Sequence, residues 1–597
     1  MNKKNKKTLV IVESPSKAKK IQEYLGDDYV VIASKGHIAD LAKGASHGIG
    51  VNLDTFAPKY VLSPDKVDVL DEILNLTKQC NYILLASDSD REGEAIAWHL
   101  QQRLLDTDIP IKRIVFNEIT KKAIKEAVSK PRDIDINLVH SQEARRILDR
   151  IVGFMASPFL MNKYSTNLSA GRVQSVLTKM IIERDKEISS FIPEKYWNIH
   201  VTLSDGSQAF TAKYDTKITD VKTANTVGKL FEGNNNDSKF VVTDIVAKEE
   251  KRPAPPPMIT SRLQQIMSKD YGISSDRTMK AAQELYESGY CTYIRTDSTR
   301  ISEDAVKEVR QWLQNNNYKV PSKENIYPNK DSAQDAHECI RPTELDLKPD
   351  QNYEIIDPDQ KKVYEVIWKY FVASQMLPAT YDTLKVTLEL KNNSNFKVKA
   401  SGKALTYKGF MDILGVNDDS KIDIPSLNIG DELSLTGDIP VKVEKKQTQP
   451  PPRFSEANLI KELVSKGIGR PSTYAELLSK VTGRNYVQKD GNMYYATDLG
   501  KEVTGLLNDF FSFMDYHYTS ELEQKLDDIA AGKVNHVDML KEFYAGFKQE
   551  LNKSYIENCN SELCNKCNSP MVKKKSKAGS EFMSCVMYPV CKNAKNV

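Results

Sequence analysis

Two proline-rich segments, 251–259 and 448–454, constrain the fold of this 597-residue chain most strongly, because a strand-rich region precedes each of them. Alternating strand patterns begin at "YWNIHVTL", before the first segment, and return from "DTLKVTLEL" to "IPVKVEKK", before the second. The sequence between the two strand-rich regions has helical periodicity. We therefore predict one β domain built from two separated segments, with an inserted helical block that the proline hinges allow to move.

The first 130 residues follow another pattern, in which short apolar strands alternate with polar helices. "TLVIVES" precedes "SKAKKIQEYL", and "YILLAS" runs through an acidic loop into "REGEAIAWHL". Such alternation is typical of a parallel sheet covered by helices. The predicted fold class is multidomain, with an α/β domain at the N-terminus and α+β structure beyond it.

These patterns predict domain boundaries along the whole chain. A helical domain in two parts contains a break at "GFMASPFL". The predicted segments are an α/β domain at 8–130, a helical domain at 133–192 and 451–555, a β-rich domain at 193–257 and 379–450, the inserted helical block at 258–378, and a cysteine-rich segment at 560–597.

Composition argues against several classes of protein. No apolar run reaches the ~18 residues of a membrane helix, and "MNKKNKK" lacks the apolar stretch of a secretory signal, so we expect a soluble cytoplasmic protein without a membrane partner. The net charge of +3 is too small to indicate nucleic-acid binding, and clusters such as "EARRILDR" are more informative. No Gly-Lys pair is followed by Ser or Thr, so no P-loop and no use of ATP are expected.

Three carboxylates follow predicted strands of the N-terminal domain. Glu13 ends the first strand, and Asp88 and Asp90 follow another in "SDSDREGE". Ligands of open parallel sheets bind beyond the carboxyl ends of the strands, so these side chains are expected to converge. Their repulsion favours a bound cation, and oxygen ligands favour Mg²⁺. An acidic helix N-terminus, favoured by the helix dipole, is the competing interpretation and the one retained for Glu92 and Glu94.

Three further residues have chemistry that depends on their surroundings. Lys17 follows Glu13 by four residues and either reaches a phosphate beside the ion or lies on the helix surface. In "CTYIRTDSTR", Tyr293 stands two residues before Arg295. A tyrosine hydroxyl titrates near 10 and needs a neighbour in order to act as a nucleophile. The alternative is a half-buried tyrosine beside an exposed ion pair.

The cysteines indicate a metal site. Five of the eight crowd the last forty residues, which is not the pattern of a disulfide scaffold. Cys564-x₂-Cys567 and Cys585-x₅-Cys591 supply four thiolates in two pairs, which favours one tetrahedral structural Zn²⁺. A segment this short has almost no core, so we expect the metal to supply its folding energy.

Seven motifs occur in an order that resembles the type IA DNA topoisomerases: "LVIVESPSKAKKI", "SDSDREGEAIAWHL", "EARRILDRIVGF", "LSAGRVQS", "YIRTDSTR", "AHECIRPT" and "GIGRPSTY". The resemblance covers roughly residues 8–550, and the cysteine pairs resemble the zinc ribbons of bacterial topoisomerase I. It implies an N-terminal toprim domain, a toroidal padlock in which helical domains and a β-rich gate domain surround a DNA-sized hole, and a C-terminal zinc ribbon.

The resemblance also implies the roles of the catalytic residues. Tyr293 matches the nucleophile that forms a 5′-phosphotyrosyl bond, and Arg295 matches the arginine that steadies the scissile phosphate. Lys17 and His337 match residues beside that phosphate. The acidic residues match the Mg²⁺ and acid–base cluster, in which Glu13 is our candidate proton donor to the leaving 3′-oxygen. The cluster consists of Glu13, Asp88 and Asp90.

Single-stranded DNA is the implied ligand of the helical domain. Arg145, Arg146 and Asp149 share one side of a helix, although a solvated i,i+4 pair of Arg145 with Asp149 is the plainer interpretation and a solvated face remains plausible for Arg150. Single strands are usually held in basic grooves with stacking platforms. The predicted DNA contacts are His37, Arg145, Arg146, Asp149, Phe154, Met161, Ser169, Ala170, Gly171, Arg172, Val173, Gln174, Arg295, Arg470, Thr473 and Arg484.

The predicted function is ATP-independent relaxation of negatively supercoiled duplex DNA by a monomer, in the cytoplasm and at the nucleoid of a bacterial host. Transesterification conserves the energy of the phosphodiester, which agrees with the missing P-loop. A decatenase of the same family is the first alternative. A toprim nuclease or primase-like polymerase, and a non-catalytic single-strand binder, are alternatives of other classes. "YIRTDS" argues against the former, and Tyr293 with Glu13 against the latter.

Overall fold

An α/β domain forms the N-terminal part of the computed structural model, which describes residues 7–43, 49–164, 168–234, 238–329, 337–351, 354–559, 561–576 and 579–596. Its elements are β1 (Lys7–Val12), α1 (Pro15–Leu25), β2 (Tyr29–Ala33), β3 (Ala39–Leu41), β4 (Tyr60–Leu62), α2 (Val67–Thr77), β5 (Cys80–Leu85), α3 (Arg91–Leu104), β6 (Ile111–Arg113) and α4 (Lys121–Ser129).

The sheet of this domain has the order β2-β1-β5-β6, and all its strand pairs are parallel. The central strands β1 and β5 are apolar and buried because the sheet is covered on both faces. One face packs on helices of the domain itself, and the other shares an apolar cluster with the helical block. The carboxyl ends of β1 and β5 therefore lie side by side, where Glu13 and residues 86–90 follow.

The middle of the chain alternates helical and strand-rich parts. Its elements are α5 (Ile136–Tyr164), α6 (Arg172–Ser190), β7 (Lys195–Ser204), β8 (Ala209–Tyr214), α7 (Val221–Glu232), β9 (Lys239–Arg252), α8 (Thr260–Tyr271), α9 (Ser275–Glu287), α10 (Glu303–Asn315), α11 (Pro358–Ser374), β10 (Ala379–Leu390), β11 (Asn393–Tyr407), α12 (Met411–Leu414), β12 (Glu432–Leu435) and β13 (Val441–Gln447).

Seven strands from both strand-rich parts form one antiparallel sheet, in the order β12-β9-β10-β11-β8-β7-β13. A further pairing of β12 with β7 closes six of these strands into a ring. β9 lies before the helical block in sequence and β10 after it, yet they pair along almost their full length. The block formed by α8 to α11 is thus an insertion whose two ends lie side by side in one sheet.

The remaining elements return to the helical domain and end in a small sheet. They are α13 (Glu456–Ser465), α14 (Tyr474–Gly483), β14 (Val487–Asp490), β15 (Met493–Ala496), α15 (Asp498–Asn508), α16 (Tyr516–Ala530), α17 (His536–Cys559), β16 (Met571–Lys575), β17 (Glu581–Cys585) and β18 (Ala594–Asn596), and short 3₁₀ turns occur at Pro64–Lys66, Leu105–Thr107 and Ser512–Met514.

The predicted break at "GFMASPFL" is not formed, because α5 continues through Pro158 to Tyr164. A proline inside a helix removes one backbone hydrogen bond. Here its neighbours Ala156, Phe159 and Leu160 are buried in the core that α5 shares with α6 and α13 to α17, and this packing holds the helix together. No described helix combines the length and apolar character that crossing a membrane requires.

Candidate active site

The first part of the site lies where β1 and β5 end. The backbone N–H of Asp88 donates to Glu13 Oε1 at 2.8 Å. Ser14 caps α1 by accepting from the Lys17 N–H, which places Lys17 in the first turn. The Lys17 ammonium, only 1% exposed, donates to Asp88 Oδ1 at 2.5 Å. The sequence interpretation of Lys17 as a surface residue is therefore wrong.

The second part comes from the helical block, which brings Tyr293 against the α/β domain. The Tyr293 hydroxyl donates to Asp90 Oδ2 at 2.7 Å, and its backbone N–H donates to the Asn117 carbonyl at 2.7 Å. Arg295 Nη1 lies 3.8 Å from Asp90 and donates to Glu92 at 2.9 Å. The tyrosine is buried, with 3% of its surface exposed. The half-buried tyrosine offered as an alternative is thus excluded.

His337 completes this part of the site. Its Nε2 lies 3.3 Å from the Ser89 carbonyl oxygen, and its ring centroid is 5.9 Å from that of Tyr293. Asp90 is also the N-cap of α3 and accepts from the Gly93 N–H at 2.8 Å. One loop between β5 and α3 therefore contacts the tyrosine, the arginine and the histidine of the helical block.

Burial and charge set the protonation of these groups. Burial, with the charges of Asp90 and Asp88, raises the pKa of Tyr293 well above its ordinary value despite the nearby Arg295. Burial alone would raise the pKa of Asp90, but Arg295 and the Gly93 N–H more than offset it and the pKa is lowered. Burial and Asp88 raise the pKa of Glu13 to about 8. The closed site thus holds a neutral phenol beside an ionised carboxylate.

The carboxylates fit Mg²⁺ chemically, but they do not form a closed ligand set here. Among the residues described, only the four cysteines bring three or more ligand atoms within 4.8 Å of one another. The predicted convergence of all three carboxylates is therefore incomplete, because Lys17 engages Asp88 and Tyr293 engages Asp90. The donors are carboxylate oxygens. Burial, and after it the charges of Asp88 and Asp90, raises the pKa of Glu13, and a divalent cation would favour its ionised form.

Glu92 and Glu94, both assigned to the helix N-terminus, have additional partners. Glu92 faces the site through Arg295. Glu94 is fully buried and pairs with Arg113 and Arg132, and Arg113 in turn donates to the Asp88 carbonyl at 2.6 Å. This support of the loop between β5 and α3 was not predicted, because nothing near Arg113 in the sequence indicates that its side chain is buried.

A groove of about 820 Å³ adjoins the site between the α/β domain, α5, α6 and α14. Most of the residues predicted to contact single-stranded DNA line this groove. These are His37, Arg145, Arg146, Asp149, Phe154, Ser169, Ala170, Gly171, Arg172, Val173, Gln174, Thr473 and Arg484.

Three predicted contacts lie outside this groove. Met161 follows Phe154 by seven residues, roughly 10 Å further along α5. Arg470 and Arg295 instead line a smaller cleft of about 50 Å³, together with Asp90 and His337. This cleft joins the helical block to the loop before α14.

Several of the groove arginines are paired with carboxylates. Arg145 contacts the buried Glu523 instead of forming the proposed i,i+4 pair with Asp149, which lies 3.5 Å from Arg172. Arg146 donates to Asp40 at 2.7 Å. These carboxylates hold the positive charge of the groove in defined positions.

Two other features of the groove differ from the sequence analysis. Arg150, for which a solvated position remained plausible, is buried and lies 5.0 Å from the centroid of the Phe154 ring. Asp40, Tyr60 and His99 also line the groove. None of them was predicted as a contact, although His99 lies within the motif "SDSDREGEAIAWHL".

The four predicted cysteine ligands come together at the end of the chain. Cys564 Sγ lies 3.7 Å from Cys591 Sγ, and Cys567 Sγ lies 3.4 Å from Cys585 Sγ. Four sulfurs at such spacing suit a tetrahedral Zn²⁺ with bonds of about 2.3 Å. The sheet β16-β17-β18 carries this site, and its apolar residues Met571 and Met587 join the core of the helical domain.

Comparisons with known proteins agree with this architecture. Three family profiles match: "Toprim domain" at residues 8–119, "DNA topoisomerase" at 133–541, and "Topoisomerase DNA binding C4 zinc finger" at 561–597. A toprim domain implies bound Mg²⁺, and a C4 ribbon implies structural zinc.

Two relatives match almost the whole chain. DNA topoisomerase 1 of Pseudomonas aeruginosa is 39% identical over 641 aligned positions, which cover 98% of this chain and 72% of the relative. The solved structure of full-length topoisomerase I from Thermotoga maritima has a TM-score of 0.81 at 34% identity, over 99% of this chain and 97% of that one. Because the topoisomerase profile matches more than half of the chain and a relative of this name is 39% identical over most of both lengths, the chain belongs to the type IA DNA topoisomerases.

Proposed function

We propose that this chain relaxes negatively supercoiled DNA without ATP, by cutting one strand, passing another through the gap and resealing the cut. One observation carries the proposal: the Tyr293 hydroxyl lies 2.7 Å from Asp90, between Arg295 and the carboxyl ends of the toprim strands. A nucleophile, a cation for the phosphate and an acidic cluster thus meet at one point.

The residues have distinct proposed roles. Tyr293 passes its phenolic proton to Asp90, which accepts its hydrogen bond, attacks the scissile phosphorus and forms a 5′-phosphotyrosyl ester, while Arg295 stabilises charge on the phosphoryl oxygens. Glu13 donates a proton to the leaving 3′-oxygen. Lys17 and His337 contact the same phosphate. Carboxylates of the cluster Glu13, Asp88 and Asp90 would hold Mg²⁺, which would supply further charge stabilisation at the phosphate.

The buried position of Tyr293 requires an opening step. A DNA strand cannot reach a tyrosine that is 3% exposed, so the helical block, together with the β-rich sheet that holds both of its ends, moves away from the toprim domain on the proline segments 251–259 and 448–454. The same motion opens the ring for strand passage. We propose that the enzyme acts as a monomer, and a DNA substrate places its work in the cytoplasm, at the nucleoid of a bacterial host.

The groove holds the single strand beside the site. Its cationic side chains Arg145, Arg146 and Arg172, with Arg484, suit a phosphate backbone, and Phe154 offers a face for stacking. Contacts of this kind position a strand and carry little sequence information. The preferred substrate is therefore a region of underwound duplex that opens readily.

The test is incubation of a negatively supercoiled plasmid with the protein and Mg²⁺, without ATP. We expect a ladder of relaxed topoisomers, and protein attached to the 5′ end of the cut strand when the reaction is stopped with detergent. Relaxation that depends on ATP, or a covalent link to the 3′ end, would contradict the proposal. Linked catenanes in a parallel reaction test the decatenase alternative, which the name of the P. aeruginosa relative does not favour.

A further inference from the structure

Helix α16 presents two carboxylates to the arginines of the site. Glu523 is fully buried, and Asp527 follows it by four residues, so both lie on one face of the helix, one turn apart. Glu523 does not line the groove, and Asp527 lines only the smaller cleft. We call these two residues the carboxylate strip.

Glu523 gathers three arginines from three different parts of the chain. Arg145 of α5 is in hydrogen-bond contact with it, Arg172 of α6 lies 2.7 Å away, and Arg470 of the loop before α14 lies 3.8 Å away. The guanidinium of Arg172 is buried and makes no well-aligned hydrogen bond of its own. A single buried carboxylate thus fixes where three cationic groups of the strand-binding region stand.

Asp527 extends this arrangement to the catalytic loop. One of its oxygens accepts from Arg470 at 2.7 and 3.1 Å, and the other accepts from Arg91 at 2.6 Å. Arg91 is the first residue of α3, directly after Asp90, which holds the Tyr293 hydroxyl. Continuous ion pairs therefore run from the groove through Asp527 to the residue next to the nucleophile's partner.

Buried ion pairs of this kind restrict geometry more than they add affinity. An arginine has a long, flexible side chain, and its planar fork is ordered only when acceptors fix it. Four arginines share the two carboxylates, so the set remains net positive toward an incoming strand. If the two carboxylates only neutralised the charge of the arginines, exposed carboxylates would be sufficient. A buried carboxylate shared by several arginines would not be needed.

We propose that Glu523 and Asp527 are positioning residues that fix Arg145 and Arg470 and thereby set the register in which a bound strand meets Tyr293. The inference rests on the proposed function. Two consequences distinguish an effect on the alignment of the bound strand with Tyr293 from an effect on the charge of the groove. Loss of a carboxylate makes the groove more positive, so strand binding does not weaken, whereas loss of register slows cutting of the bound strand and changes where it is cut.

The experiment compares Glu523→Gln and Asp527→Asn with the wild type and with Glu521→Gln. Glu521 is on the same helix, but it is exposed and faces His517 at 3.4 Å, so its variant loses the same charge away from the arginines. Three quantities are measured: the Kd of a labelled single-stranded oligonucleotide, the single-turnover cleavage rate at saturating oligonucleotide, and the pattern of cut sites on a long single strand.

We expect both strip variants to bind the oligonucleotide at least as tightly as the wild type. Their cleavage at saturation falls by up to about 10²-fold, the loss that a displacement of about 1 Å can cause. The cut sites spread over neighbouring nucleotides, while Glu521→Gln keeps the wild-type pattern. A merely structural role would weaken binding and rate together and leave the cut sites unchanged.

Unchanged rates with an unchanged pattern overturn the inference, as does a loss of binding that accounts for the whole loss of rate. If Glu523→Gln does not fold, Asp527→Asn decides by the same criteria, because its side chain is 13% exposed and less embedded. Failure of the wild type to cut a single strand at all contradicts the proposed function instead, so the two failures are distinguishable.

Discussion

At the scale of single residues, the closed site shields Tyr293, the proposed nucleophile. A phenol that is buried beside Asp90 and has a raised pKa is neutral, and its oxygen is directed by one hydrogen bond. The family resemblance that includes "YIRTDSTR" predicts the roles of Tyr293 and Arg295, and these roles remain a prediction. It did not predict that Asp90 is the hydrogen-bond partner of Tyr293, since 203 positions separate the two residues in sequence.

Replacing Tyr293 with Phe removes this hydroxyl and nothing else. We expect cleavage to be lost and single-strand binding to stay close to wild type, because the groove is untouched. The matched control is Tyr290→Phe, whose hydroxyl faces Glu354 rather than the site, and this variant should retain cleavage. Labelled DNA recovered covalently on Tyr293→Phe would show that another residue is the nucleophile.

Replacement of Glu13 distinguishes a role in proton transfer from a role in metal binding. Glu13→Gln keeps the shape of the side chain but cannot donate the proton, so cutting should slow by about 10²–10⁴-fold even at saturating Mg²⁺. Single-turnover cleavage of an oligonucleotide across a Mg²⁺ titration measures this, with Glu23→Gln on the exposed side of α1 as the control. Recovery to wild-type speed in excess Mg²⁺ would mean that Glu13 is only a ligand.

The aspartates of the cluster have a different expected response. If Asp88 and Asp90 chiefly hold Mg²⁺, the double replacement by alanine should abolish relaxation, and added Mg²⁺ should recover little of it. Loss of the ion pair between Lys17 and Asp88 contributes to the same loss of activity, since the replacement leaves the buried Lys17 ammonium without the carboxylate that lies 2.5 Å from it. Plasmid relaxation over a Mg²⁺ series is the measurement. Full recovery at high Mg²⁺ would contradict a primary role of the pair in binding the ion.

At the scale of elements, helices that follow strands or carry sequence motifs were predictable, and their partners were not. α5 carries the predicted arginines on one side, as its periodicity indicates. Its continuation through Pro158 depends on packing against distant helices, which no local pattern encodes. The role of α16 was likewise hidden, because Glu523 and Asp527 look like ordinary surface acids of a polar helix until the fold brings the arginines to them.

Helix α16 predicts a pH dependence of stability. Burial alone would raise the pKa of Glu523, but Arg145, Arg172 and Arg470 lower it well below the ordinary value. A lowered pKa contributes stability above the unfolded value of about 4.3, and this contribution is lost as the pH falls towards the folded value. Glu523→Gln should therefore be less stable than the wild type at pH 7, with a smaller gap at pH 3.5. Urea unfolding at both pH values tests this, and a gap independent of pH would contradict it.

A carboxylate of α13 binds the N-terminus of α9 and so helps to hold the helical block against the helical domain. The Ser275 N–H, in the first turn of α9, donates to the buried Glu456, which also accepts from Lys489 at 3.0 Å. A carboxylate at a helix N-terminus is worth roughly 0.3–2 kcal/mol. We expect Glu456→Gln to speed amide hydrogen exchange at the start of α9, whereas Glu462→Gln, which loses a more exposed pair on the same helix, should not. Equal rates of amide exchange at the start of α9 in both variants would show that this contact does not hold α9 in place.

At the scale of the whole molecule, the sequence predicted the order of domains but not how they close. The inserted block, the β domain made of two chain segments and the cysteine site follow from patterns within each part. The domain boundaries proposed from those patterns remain a prediction. The apolar cluster that joins the block to the toprim sheet could not be predicted, because the residues on both sides read as ordinary core positions of their own domains.

The zinc ribbon offers the last test, because it is small yet joined to the body. Met571, Val572 and Met587 belong to the same apolar cluster as Phe547 and Leu551 of α17. Removal of zinc, by chelation or by Cys564→Ser with Cys567→Ser, should unfold the ribbon, since the metal ion that the cysteine thiolates bind in common is lost. The body should keep its own cooperative transition at a somewhat lower temperature, because α17 loses part of its cover but the rest of its core is intact. Calorimetry with and without chelator measures both transitions, and restored zinc should return them. Loss of the body's transition would mean that the ribbon is an integral part of the helical domain, and an unshifted transition would mean that their contacts contribute no stability.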